Sequence, residues 1–176
     1  MSAMTPADLQ RLIRDIPDVP SPGVMFRDIT PLLADPAGYD AAVRAIVGLT
    51  HGKRVDKVIG IEARGFIMAA PVAFHLNAGF VPVRKAGKLP WAVVREEYTL
   101  EYGTDQLEIH RDALAPGDSV VIVDDVLATG GTAQAAVRLV EGLGAKVAGC
   151  LFLLELAALG GRNTLSDHSV SSVITY

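Results

Sequence analysis

The chain has 176 residues, of which 50% are hydrophobic and 20% are charged, a composition typical of one folded domain and not of a disordered chain. The 16 lysines and arginines against 20 aspartates and glutamates give a formal net charge of -4, which argues against a broad nucleic-acid-binding surface. The single cysteine, Cys150, excludes an internal disulfide, and we expect it to be a small buried side chain in a reducing compartment. We expect neither a signal peptide nor a membrane span, because no apolar run approaches the ~20 residues that cross a bilayer.

The N-terminal part of the chain predicts two helices joined by a proline-rich loop. Apolar residues recur at helical spacing over residues 5–16, and Thr5 followed by Pro6 is typical of an N-cap and a first helical turn. The prolines and the glycine of residues 17–23 predict a stiff, extended loop. A second apolar stripe predicts a helix over residues 36–49.

Strands and helices alternate along the rest of the chain. Apolar runs predict buried strands at residues 55–61, 80–84, 119–123 and 147–154, and periodic stretches predict helices at 66–76 and 133–143. Residues 85–105 are charged and contain Gly87 and Pro90, which predicts a long exposed loop or short hairpin of the kind that closes over a site. The alternation predicts an α/β fold with a mostly parallel sheet flanked by helices.

The most informative segment lies where the strand over residues 119–123 ends. Asp124 and Asp125 follow directly, and the small and hydroxyl residues of 128–132 precede the next helix. Glycines let backbone amides approach an anion closely at a helix N-terminus, which favours a bound phosphate. The two carboxylates suit ribose hydroxyls or a neighbouring divalent cation. The alternative is a capped strand-to-helix turn that binds no ligand.

Residues 120–132 resemble the motif with which type I phosphoribosyltransferases bind 5-phosphoribosyl-1-pyrophosphate (PRPP). Members of that family have a Rossmann-like core and a small N-terminal hood over the base. The resemblance implies one domain over residues 1–176, with the hood mainly in about 1–35 and a flexible catalytic loop at about 85–105. It implies that the ribose and the 5′-phosphate contact Asp124, Asp125, Ala128, Thr129, Gly130, Gly131 and Thr132. The chain has neither a Walker A sequence nor a Gly-x-Gly-x-x-Gly motif.

Three further segments, 22–31, 60–66 and 84–103, resemble the members of this family that act on adenine. The resemblance implies an adenine site formed by Val24, Met25, Phe26, Arg27, Ala128 and Leu156. It implies pyrophosphate contacts from Glu62, Ala63, Arg64, Arg84, Lys85 and Lys88. A cis peptide bond between Glu62 and Ala63 is frequent in such members, and Glu101 stands at the family's acid/base position. The chain departs from its relatives at Ala86 and in the apolar stretch 91–94.

The resemblance as a whole implies a purine salvage enzyme that transfers 5-phosphoribose from PRPP to adenine and gives AMP and pyrophosphate. It implies a cytoplasmic homodimer that uses Mg²⁺, with the ion carried mainly by PRPP and with Asp124 nearby. Neither nucleic acid nor membrane is an expected partner. Three alternatives stay open: an enzyme for another purine such as hypoxanthine or xanthine, a PRPP-sensing regulator without catalysis, and a nucleotide-binding domain that does not depend on PRPP. The hood sequence favours adenine, and we expect no added DNA-binding segment in this acidic chain.

Overall fold

The computed structural model describes residues 4–99 and 104–176, and the chain divides into two compact units, Met1–Ala45 and Ile46–Tyr176. Helix α1 opens the first unit and is followed by a two-stranded antiparallel sheet and a second short helix. Helix α3 then continues into the second unit. The bounds are α1 Pro6–Gln10, β1 Arg14–Pro17, β2 Met25–Asp28, α2 Thr30–Ala34 and α3 Pro36–Gly48.

The first predicted helix is right at its start and wrong at its end. Thr5 caps α1 through a reciprocal hydrogen-bond pair with Asp8, as the capping-box pattern favours. Residues 14–17, however, form strand β1, because antiparallel pairing with β2 satisfies their backbone groups and sets Ile16 opposite Phe26.

The loop between these strands is a compact turn and not an extended segment. The Asp18 carboxylate accepts a hydrogen bond of 2.7 Å from the Gly23 amide, and the Val19 amide donates to the Val24 carbonyl at 3.1 Å. Prediction from prolines alone misses this turn, because side-chain-to-backbone hydrogen bonds fold the segment back on itself.

The second unit contains a mostly parallel sheet, as the sequence predicts. Among the described residues the strand order is β5-β6-β4-β3-β7-β8-β9. The neighbouring pairs β4–β3, β3–β7, β7–β8 and β8–β9 are parallel. Strand β6 runs antiparallel to both β4 and β5. The bounds are β3 Lys57–Ile61, α4 Arg64–Leu76, β4 Gly79–Lys85, β5 Val93–Thr99, β6 Thr104–His110, β7 Ser119–Leu127, α5 Gly131–Gly142, β8 Lys146–Glu155, α6 Gly161–Thr164 and β9 Val170–Thr175.

Helices cover both faces of this sheet. Ile59 of β3 belongs to the same buried cluster as Val137 of α5. The adjacent Gly60 faces α4, where an added Cβ would lie 2.8 Å from the Cβ of Ala69. Because successive strand residues point to opposite faces, α4 and α5 lie on opposite sides of the sheet.

Three details differ from the sequence-based expectation. Strand β7 continues through both aspartates to Leu127, and Val93–Thr99 pairs antiparallel with Thr104–His110, so strand structure extends beyond the loop or short hairpin predicted at 85–105. Strand β9, near the C-terminus, was not predicted, because its Val-Ser-Ser-Val pattern is weakly apolar and parallel pairing with β8 stabilises it.

Cys150 is buried in β8, as predicted, and burial raises the pKa of its thiol to about 12. Within residues 4–99 and 104–176, no helix combines the length and apolar character that a bilayer crossing requires.

Candidate active site

A cavity of about 410 Å³ opens at the carboxyl ends of the central parallel strands. This edge is where open α/β sheets bind their ligands. The loop after β3 contributes Glu62, Ala63 and Arg64, the end of β4 contributes Lys85, and the segment 124–133 contributes the remaining wall. The structure therefore brings together the predicted phosphate segment and most of the predicted pyrophosphate residues.

The phosphate segment forms a tight turn between β7 and α5. Gly130 is the N-cap of α5 and has a φ of 86°, a left-handed conformation that favours glycine. Among the described residues, no side chain caps this helix start. The first amides of a 12-residue helix thus stand beside the cavity without intrahelical partners, and their partial positive charge favours an anion.

The twin aspartates form the acidic wall of the same cavity. The Asp125 amide donates a hydrogen bond of 2.9 Å to Asp124 Oδ1. Burial raises the pKa of both carboxyl groups, and the charge of Asp125 raises the pKa of Asp124 further, well above its ordinary value. Arg64 opposes this effect at Asp125, because its Nε lies 2.8 Å from Asp125 Oδ2.

The loop after β3 is fixed by an ion pair between Glu62 and Arg84. The peptide bond between Glu62 and Ala63 is cis. The Glu62 carboxylate accepts hydrogen bonds from Arg84 at 3.0 and 3.2 Å and from the Lys85 amide at 3.0 Å, and the Arg84 pairing lowers the pKa of Glu62. Arg84 also donates to the Lys88 carbonyl. Of the described residues, Lys85 lines the cavity and Arg84 and Lys88 do not, so a pyrophosphate role for these two stays a prediction.

Lys85 joins the cavity to strands β5 and β6. Its ammonium group donates to the Asp105 carboxylate and, at 2.5 Å, to the Tyr98 hydroxyl. Burial alone would lower the pKa of Lys85, but these two partners raise it, so the group stays charged.

The predicted adenine residues are divided between the two units. Val24 and Met25 are exposed at the start of β2, Phe26 pairs with Ile16 in the small sheet, and Arg27 forms an ion pair with Asp15. Ala128 and Leu156 belong to the second unit. Ala128 lines the cavity, and the Leu156 amide donates to the Leu127 carbonyl at 2.9 Å. The predicted acid/base residue Glu101 lies outside the described residues.

Sequence reasoning missed a segment that contacts the phosphate turn from behind. The Thr164 hydroxyl donates a hydrogen bond of 2.7 Å to the Thr129 carbonyl. Gly161 is buried against Ala128 and Leu127. The adjacent pair Gly160-Gly161 was the available signal, since paired glycines often mark a close backbone approach.

The described side chains around the cavity do not form a metal site by themselves. Across residues 4–99 and 104–176, no group of three or more His, Cys, Asp or Glu side chains is arranged to hold a metal ion. The twin carboxylates fit an ion that arrives with most of its oxygen ligands, as Mg²⁺ does with phosphates.

Comparison with known proteins agrees with this geometry. Residues 30–174 match the phosphoribosyl transferase domain family. The adenine phosphoribosyltransferase of Acidothermus cellulolyticus is 58% identical over 175 residues, which cover 97% of this chain and 99% of that protein.

Solved structures share the fold at nearly full length. The adenine phosphoribosyltransferase of Thermoanaerobacter pseudethanolicus has a TM-score of 0.95 and 47% identity and covers 98% of this chain and 100% of its own. The Saccharomyces cerevisiae enzyme, solved with adenine and an imino-altritol bisphosphate, has a TM-score of 0.91 and 37% identity and covers 96% and 97%. Coverage and identity of this extent place the protein in a family, and the chain belongs to the adenine phosphoribosyltransferases.

Proposed function

We propose that the chain transfers a 5-phosphoribosyl group from PRPP to adenine, giving AMP and pyrophosphate, in the cavity at the sheet edge. One observation carries the proposal: a helix start that no described side chain caps, the carboxylates of half-buried Asp124 and buried Asp125, and the cations Arg64 and Lys85 border the same 410 Å³ space. The helix start suits an anion, the carboxylates suit a polyol, and the cations suit a charged leaving group.

The chemistry follows from the charges along the wall. Adenine N9 attacks C1′ of the ribose as the bond to pyrophosphate breaks, and the anomeric carbon becomes cation-like, as in other glycosyl transfers. Arg64 and Lys85 offset the charge that builds on the leaving group. Glu101 accepts the proton released from the base.

Adenine is selected by stacking on its ring and by contacts to its polar edge. Phe26 stacks on the ring, a contact worth ~1–3 kcal/mol per base. The backbone at Met25 and the side chain of Arg27 contact the edge of the base. Leu156 and Ala128 lie on the ring face opposite Phe26. A keto-purine would leave these edge groups unpaired once the base covers them, and it is therefore rejected. The yeast relative solved with adenine supports this choice of base.

Mg²⁺ accompanies PRPP, and Asp124 is the protein carboxylate that would neighbour it. When bound, the ion neutralises charge on the pyrophosphate oxygens. With or without the ion, the Asp124 and Asp125 carboxylates accept hydrogen bonds from the ribose hydroxyls.

The working form is a homodimer in the cytoplasm. Ile67 and Phe74 lie seven residues apart on α4 and therefore on one face, and both are exposed, Phe74 by 83%. Trp91, exposed by 68%, adds a second apolar site. Exposed apolar groups of this size favour a protein partner, and a second copy of the chain is the partner that the family resemblance indicates.

The test is a purine panel with purified protein, PRPP and Mg²⁺. Adenine should give AMP and pyrophosphate, whereas hypoxanthine, xanthine and guanine should react at least about a hundredfold more slowly. A double variant, Asp124→Ala with Asp125→Ala, serves as the inactive control. Equal rates with a keto-purine would contradict the base choice, and PRPP-independent behaviour would contradict the activity itself.

A further inference from the structure

The segment that follows β8 packs against the back of the phosphate turn. Leu156 donates its amide to the Leu127 carbonyl at 2.9 Å, and Thr164 of α6 donates its hydroxyl to the Thr129 carbonyl at 2.7 Å. These two hydrogen bonds hold both ends of the segment against residues 127–129.

The two backbones approach so closely that glycine is required on each side. A Cβ added to Gly130 would lie 2.8 Å from the Gly161 carbonyl oxygen and 2.9 Å from the Cβ of Thr164. A Cβ added to Gly161 would meet the Ala128 carbonyl and the Leu127 side chain. Neither glycine can gain a side chain unless the turn moves.

The segment is itself firmly attached to the sheet. Arg162 makes a bidentate ion pair with the buried Glu155 at 2.6 and 2.7 Å and donates to the Val170 carbonyl at 2.8 Å. Leu165 is fully buried in the core cluster. The contacts to the phosphate turn therefore come from a fixed support.

We propose that Thr164 is a positioning residue for the 5′-phosphate, an inference that rests on the proposed function. The Thr129 carbonyl and the Gly130 N–H belong to one planar trans peptide group, so they point in opposite directions. By holding the carbonyl, the Thr164 hydroxyl aims the Gly130 N–H away from α6 and toward the anion. Thr164 acts through this peptide and does not touch the substrate.

Thr164→Val removes the donor at nearly constant shape, and Thr164→Ser restores it. We expect Thr164→Val to weaken ribose 5-phosphate binding in calorimetry and to raise the KM for PRPP about threefold to tenfold, the effect of one lost hydrogen bond. The KM for adenine and the Tm should stay close to wild type, and Thr164→Ser should behave as wild type. The control is Thr50→Val, which deletes a 2.8 Å hydroxyl-to-carbonyl hydrogen bond at a buried residue outside the cavity wall.

Wild-type ribose 5-phosphate affinity in Thr164→Val would overturn the positioning role, and so would equal weakening in Thr164→Ser. If Thr164→Val weakens ribose 5-phosphate binding but wild-type protein makes no AMP from adenine and PRPP, the proposed function fails and the positioning role stands. If the wild type makes AMP and Thr164→Val binds ribose 5-phosphate as tightly as the wild type does, the proposed function stands and the positioning role fails.

Discussion

Asp124 and Asp125 are adjacent residues in the last part of β7, where ionisation is unfavourable without a ligand. Burial raises the pKa of both carboxyl groups, and Arg64 compensates at Asp125 only in part. Ribose hydroxyls or a cation near PRPP would supply the missing partners. The two carboxylates that we assign to ligand binding thus lower the stability of the ligand-free protein.

Asp124→Asn should therefore stabilise the empty protein while weakening PRPP binding. The amide removes the desolvated, repelled charge, which we expect to raise the Tm by ~2–4 °C, or about 1 kcal/mol for a chain of this size. Calorimetry should give at least a tenfold loss of PRPP affinity. The control is Asp118→Asn, just before the same strand, at a half-buried carboxylate that accepts a hydrogen bond from the Ala115 amide.

The pH dependence of this gain has a definite sign. Because the folded pKa of Asp124 lies above its unfolded value, the carboxyl contributes stability below about pH 4 and loses it as the pH rises through the folded pKa. The Tm difference between Asp124→Asn and wild type should be near zero at about pH 4 and should grow as the pH rises through the folded pKa of Asp124. A difference that shrinks as the pH rises would contradict this assignment.

Glu101 carries the proposed proton transfer. Glu101→Gln keeps the shape and loses the base, so kcat should fall by about 10²–10⁴ while the KM for PRPP changes little. Glu97→Gln, at an exposed carboxylate on β5, should keep wild-type kcat. Full turnover by Glu101→Gln in steady-state assays would remove Glu101 from the mechanism.

At the level of elements, the contact between α4 and the end of β7 fixes the pyrophosphate loop beside the aspartates. Gly65 stands in the first turn of α4, and an added Cβ would lie 2.7 Å from Asp124 Oδ1 and 3.2 Å from the Val123 carbonyl oxygen. A side chain at Gly65 must therefore displace either the helix start or the Asp124 carboxylate.

Gly65→Ala should lower the free energy of unfolding by ~1–3 kcal/mol, the usual effect of overpacking, and should weaken PRPP binding. Urea unfolding and calorimetry measure the two effects. Gly142→Ala is the matched control, because nothing lies within 4 Å of an added Cβ at that helical position. Unchanged PRPP affinity in Gly65→Ala would mean that the turn tolerates movement.

The elements with strong patterns were predictable, and those that depend on distant partners were not. The β-branched run at 119–123 and the helical stripe at 36–49 became β7 and α3 nearly as predicted. Residues 14–17 fit a helical stripe equally well, and only pairing with residues 25–28 decides for a strand. Such pairing is a tertiary effect that overrides local periodicity.

At the scale of the whole molecule, the exposed face of α4 should be covered by a second copy of the chain. Phe74→Glu places a charge in that face and should convert a particle of twice the 18.6 kDa chain mass into a single chain in light scattering. Leu159→Glu, at another exposed apolar position, should leave the dimer intact. A dimer that survives Phe74→Glu would exclude this face as the interface.

The sequence motif was enough to predict the family and the cavity, since Arg64, Lys85 and residues 124–132 meet at one sheet edge. It could not predict that Arg84 pairs with Glu62 or that α6 supports the phosphate turn. These contacts join residues 22 and 35 positions apart, and no local pattern records them.

The central claim is that the amides at the start of α5 bind a 5′-phosphate while the twin aspartates hold the sugar. A crystal structure with bound AMP tests it directly. We predict phosphate oxygens about 2.7–3.2 Å from backbone nitrogens of residues 129–132, and ribose hydroxyls on Asp124 and Asp125. AMP bound elsewhere, with this cavity empty, would contradict the claim.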